Sequence, residues 1–165
     1  MNGAHIHLIL GHIPIVGAGF TTLLLLFALV NKSRDIKQSS LWFAVITGVA
    51  ALVTYLTAES AENIVKKIPG ITEDIIEPHE TLALYYLLSL LFIAVVALAG
   101  LFLSRASVSV LHKFVIIIFI LNILATLLAV QTGISGGKIR HTEIKKVSSS
   151  ISSCHTAMPK DLLTA

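Results

Sequence analysis

Thr81 to Leu103 reads TLALYYLLSLLFIAVVALAGLFL, twenty-three residues without a charge. At about 1.5 Å per residue, a helix of that length crosses the roughly 30 Å of hydrocarbon in a bilayer. Three further apolar stretches, His5 to Val30, Ser39 to Ala58 and Val108 to Gln131, are each near or above the length such a crossing needs. Hydrophobic residues fill 55% of the 165 positions and charged residues 13%, about half the charged share of a soluble domain. In hydrocarbon the backbone must pair with itself, and no strand-like alternation offers a β-barrel as the alternative. The expected fold is all-α: a four-helix transmembrane up-and-down bundle over residues 1–141, followed by a short mobile tail over 142–165.

The formal charge of +3 is spread over connections and tail without a basic stripe carrying interleaved aromatics, so nucleic acid is not an expected partner. A single cysteine, Cys154, excludes an intrachain disulfide and any CxxC site. Lys32, Arg34 and Lys37 follow the first stretch directly, whereas no Lys or Arg precedes His7. The positive-inside rule therefore places both termini outside a bacterial inner membrane, with Arg105 and Lys113 agreeing and Lys66, Lys67 and the basic residues from Lys138 onward disagreeing. An N-terminus without a basic n-region reads as an uncleaved anchor. The connection from Asn63 to Pro78 reads as a frayed helix end, a Pro69-Gly70 turn and an acidic approach, with Pro78 in the first turn of the next helix. Gly133, Gly136 and Gly137 are expected to end the fourth helix.

Threading four helices up and down gathers His5, His7, His12, His79, His141 and His155 at one end, with Glu59, Glu62 and Glu80 among them. His112 falls at the other end. His12 lies about 10 Å further along the first helix than His5, at a depth where an ionisable side chain signals function. His7 and His12 are five apart, about 140° around a helix, so they point to two centres or to a centre and its surroundings. Neutral imidazole ligates iron, copper and zinc, and bundle cores build such sites from facing helices. Gly19 lies seven residues after His12 and Gly48 eleven before Glu59, so each shares a face with its polar partner and would admit a flat macrocycle or another helix. Helix packing is the plainer use of such glycines. Ile151 to His155 reads ISSCH, half of the C-x-x-C-H haem-attachment motif, with Ile151 where the first cysteine belongs.

The segment His7 to Pro14, HLILGHIP, resembles the H-x-x-x-x-H-[FI]-P opening of a bacterial family of four-helix membrane proteins, a domain of unknown function. Thr57 to Glu62, TAESAE, and Ile76 to Thr81, IEPHET, are similar to that family's T-G-x-x-A-E and H-E pair, and Gly136 to His141, GGKIRH, to its closing G-G-x-x-x-H. Ala58 stands where the family often has glycine. The resemblance implies a small membrane subunit in which His7, His12, His79 and His141 match the family's histidines and serve b-type haem.

The functional expectation is an electron-transfer subunit rather than a stand-alone enzyme. It binds one haem b or two near the outer face and passes electrons between quinone chemistry and other redox subunits or a c-type cytochrome. His12 and His79 are the expected axial pair, His7 and His141 a second pair or outer ligands, with Glu59 and Glu80 orienting imidazoles or carrying protons. The rivals are a haem-free site for Zn or Cu made of His and Glu, and a structural subunit of a larger complex.

Overall fold

The computed structural model describes the backbone of residues 3–68, 71–105 and 107–157, with side chains through residue 139. It consists of α1 (Gly3–Val30), α2 (Arg34–Leu56), α3 (Ala58–Val65), α4 (Glu73–Leu103) and α5 (Val108–Ala157). Four membrane-length spans result, because α3 continues α2 beyond a break at Thr57. This is the expected all-α, multi-pass bundle. Going round it, α1 packs on α2, α2 on α4, α4 on α5 and α5 on α1. Every neighbouring pair is antiparallel, and α1 and α4 face each other across the diagonal with no close backbone contact among the described residues.

The inner face of α1 runs His7, Gly11, Pro14, Ala18, Thr21, Leu25, Ala28, alternating steps of four and three. That is the seam of helices packed at shallow angles. Lipid tails are as apolar as leucine, so hydrophobicity alone does not pull these helices together; close packing of small residues and interhelical hydrogen bonds do. Ala18, Ala28, Ala44, Ala97, Ala125 and Ala129 are accordingly buried among Leu25, Leu41, Leu90, Ile93, Leu111 and Ile118. A Cβ on Gly48 would lie 2.8 Å from the Ala94 Cβ and 3.0 Å from the Leu90 carbonyl oxygen, so glycine sets how closely α2 meets α4.

A polar seam crosses the middle. The Asn122 amide donates to the Ala18 carbonyl at 2.9 Å and to the Thr22 hydroxyl at 2.7 Å. Thr22 meets Thr126 at 3.1 Å, and Thr21 meets Thr47 at 3.2 Å. Pro14 has no N–H for the Leu10 carbonyl, and the Thr54 hydroxyl, 3.0 Å from both that oxygen and the Ala50 carbonyl, shares its one proton between them. The α1 interruption is thus repaired from α2. Across the diagonal the Tyr86 hydroxyl donates to the Pro14 carbonyl at 2.7 Å.

Three local expectations are corrected. α5 does not stop at Gly133, Gly136 and Gly137 but stays helical to Ala157, since glycine has no better hydrogen-bonding option than the helix in an apolar setting. α2 starts at Arg34 rather than at Ser39. The acidic approach to Pro78 is itself helical: Glu73 and Asp74 occupy the first turn of α4, where carboxylates suit the helix dipole, and Pro78 is its sixth residue. The Pro69-Gly70 turn lies outside the described residues, as do the side chains of His141, Cys154 and His155 and residues 158–165 of the expected tail, whose backbone through Ala157 continues α5.

Candidate functional site

Thr57 interrupts the helix between α2 and α3, and its hydroxyl donates to the Thr54 carbonyl at 2.6 Å. The half-buried His7 places its Nδ1 3.0 Å from that hydroxyl oxygen and 3.2 Å from the Thr54 carbonyl. The carbonyl can only accept, and the hydroxyl proton is already committed to it. The hydrogen between them and the ring must therefore be on Nδ1, and the neutral His7 imidazole keeps a bare lone pair on Nε2.

The same construction recurs across the diagonal. His79, half-buried on α4, has its Nδ1 2.9 Å from the Ser135 hydroxyl oxygen, and Ser135 donates its own proton to the Thr132 carbonyl at 2.9 Å. His79 is thereby the donor through Nδ1 as well, leaving its Nε2 bare. Its ring rests on Gly136: a Cβ there would stand 3.1 Å from Cε1 and 3.8 Å from Nε2. The glycine that was expected to break the helix instead gives an imidazole its seat. His7 and His79 come one from each of two diagonal helices and lie at the same end of the bundle.

His12 does not join them. It is exposed on the outer side of α1, and its Nδ1 donates to the Leu8 carbonyl at 2.6 Å, so the expected pairing of His12 with His79 gives way to His7 with His79. The cause is rotational. His7 is on the seam that includes Gly11 and Pro14, and a residue about 140° away faces out. His5 is exposed on the same outer stripe as His12, and the His141 side chain is outside the described residues. Gly19 borders open space, whereas Gly48 is occupied by the approach of α4.

Beside the imidazoles, α3 and the start of α4 assemble a charged group. The Lys66 ammonium lies 2.7 Å from Glu62 and 3.2 Å from Glu73, and these carboxylates hold it above the usual lysine range. Glu62 on α3 and Glu80 on α4 lie near enough to influence one another. Glu59 is exposed on α3. Among the described residues no three of His, Cys, Asp and Glu converge on one point, so the donor set of a bare zinc or copper ion is not assembled there.

Sequence reasoning missed the residues that define the tautomers, Thr54, Thr57, Thr132 and Ser135. A signal was present for His7: the step of four and three that links it to Gly11, Pro14, Ala18 and Thr21 marks an inward face of small and polar residues. Comparison with known proteins finds no matching family model, no matching characterised protein and no matching solved structure.

Proposed function

We propose that this protein is a membrane electron-transfer subunit of the b-type cytochrome kind, with His7 and His79 as axial ligands of one haem between α1 and α4. The observation that supports this reading is the pair of imidazoles, each fixed through Nδ1 by a hydroxyl whose own proton is engaged. Metal-bound histidines characteristically donate their second ring nitrogen in this way, which fixes ring orientation and raises basicity at the ligating nitrogen. Two imidazoles are the whole protein donor set that a bis-histidine haem needs, whereas structural zinc takes four ligands. Haem held by these two imidazoles would supply one-electron redox chemistry, suited to electron transfer.

The chain's own residues then divide the work. Thr57 and Ser135 hold the rings, and Gly136 leaves room for His79. The Glu62–Glu80 pair holds or releases a proton next to the site, the role required where a quinol gives up protons with its electrons. The site faces the outer side of a bacterial inner membrane in this reading, with a c-type cytochrome or another redox subunit as partner.

The test is a reduced-minus-oxidised absorption spectrum of the purified full-length protein. Bands of b-type haem are expected; their absence overturns the proposal, and stoichiometric zinc or copper without them would replace it by a bare metal site.

A further inference from the structure

The opposite end of the bundle carries an open cleft of about 370 Å³, bounded by the end of α1, the start of α2 and the start of α5. Its polar lining is Asn31, Lys32, Lys37, Ser109 and His112, with Val108 among the apolar residues. Lys37 is 3% exposed. Its ammonium donates to the Asn31 carbonyl, and among the described residues no carboxylate lies within ion-pair distance of it. An ammonium has three donors, so two remain for another acceptor. A buried charge without a counter-ion is costly, and partners of opposite sign are its usual remedy.

Two further features of the cleft agree in sign. His112 lines it, and among the described residues its enclosed Nδ1 has no hydrogen-bond partner. Val108 and Ser109 open α5, which Ser107 caps by accepting the Val110 N–H at 3.4 Å. The N–H groups of the first residues have no acceptor within a helix, and the positive end of its dipole lies with them. A buried ammonium, a free imidazole nitrogen and a helix N-terminus around one opening form a receptor for an anion. The apolar wall of Leu29, Val30 and Val108 makes the rest of the lining acyl-compatible.

We propose that this cleft binds a phosphate, and specifically the headgroup phosphate of an anionic phospholipid. Lys37 supplies the main charge, Lys32 attracts at the exposed mouth, and His112 with the first turn of α5 hydrogen-bonds the remaining oxygens. Basic pockets between transmembrane helices bind acidic lipid headgroups by this chemistry. The proposal is independent of any haem at the other end.

The experiment uses delipidated full-length protein and native mass spectrometry after exposure to micelles with equal phosphatidylglycerol and phosphatidylcholine, with inorganic phosphate alone as a separate arm. One phosphatidylglycerol per chain is expected to be retained about tenfold over phosphatidylcholine, the effect of one additional charged hydrogen bond. Lys37→Met keeps the length of the side chain and removes its charge, and should bring the two lipids near parity. Lys32→Ala, exposed and safe for folding, should lower the preference by a smaller factor and serves if Lys37→Met does not fold. Thermal stabilisation by inorganic phosphate equal to that by phosphatidylglycerol would keep the anion site and make free phosphate its occupant. Equal retention of both lipids with no effect of phosphate, or full preference in the lysine variants, overturns the proposal.

Discussion

The two ends of the bundle are built from the same residue types and come out with opposite chemistry. At one end His7 and His79 each donate their Nδ1–H to a hydroxyl whose own proton is engaged elsewhere, so both keep a lone pair on Nε2. At the other, Lys37 keeps two donors free, and His112 faces the cleft with an unpartnered Nδ1. In the readings proposed above, one end would take a Lewis acid and the other an anion. The difference rests on a threonine or serine of another helix that spends its own proton on a carbonyl one turn earlier and meets the imidazole as acceptor, and the histidine itself does not reveal it.

The largest expected effect breaks the first end alone. His7→Ala and His79→Ala should each remove the bis-histidine haem spectrum, while His12→Ala and His112→Ala leave it unchanged. Loss of the bands in His12→Ala with retention in His7→Ala would reverse the assignment of the inner ligand. Next in size are Thr57→Val and Ser135→Ala, which keep the rings but release their Nδ1 hydrogens. Haem affinity should fall about 10- to 100-fold, the usual cost of losing a partner that orients a metal-bound imidazole. A titration of apoprotein with hemin reads this directly, and unaltered affinity in both variants would mean that the hydroxyls do not set the tautomers.

Gly48→Ala perturbs the middle, where both ends are indifferent. Its Cβ would meet Ala94 and the Leu90 carbonyl at 2.8 and 3.0 Å, so α2 and α4 must part, at a cost of about 1–3 kcal/mol. The melting temperature should fall, while haem and lipid retained per folded chain stay as in the parent protein. A selective loss at one end would show that the two are coupled through this contact.

The fold was legible because Thr81 to Leu103 and its three counterparts satisfy a length and a composition that only a helix bundle in a membrane meets. That His7 and His79 share one end was legible from threading alone. Which of His7 and His12 faces inward was not, because the apolar residues around them cover every side of α1 and give no moment to read; the small-residue seam decides it. Glycine was misread at 133, 136 and 137 for a related reason. The breaking tendency of glycine is measured against water, and a helix in hydrocarbon has no such competitor. Lys37 lay in plain view among the basic residues after α1, and its burial follows from α2 starting five residues earlier than the apolar run suggests.

The smallest expected effect distinguishes the charged fringe of the His7–His79 end from its core. Lys66 is exposed and bridges Glu62, four residues earlier on α3, to Glu73 at the start of α4. Both carboxylates raise its affinity for a proton in the folded state. A group whose folded pKa exceeds its unfolded value contributes stability fully below the unfolded value, about 10.4 for lysine, and loses it as pH rises through the folded one. Lys66→Met should therefore lower the melting temperature slightly and by a constant amount from neutral pH to about pH 9, with the gap closing above pH 10. Exposure keeps the difference small, and added salt should shrink it further. Because Lys66 pairs with Glu62, the proposed function predicts that the same variant also changes the pH dependence of quinol oxidation without moving the haem bands. A shift of those bands in Lys66→Met would place the ion pairs inside the ligand environment and erase the distinction between fringe and core.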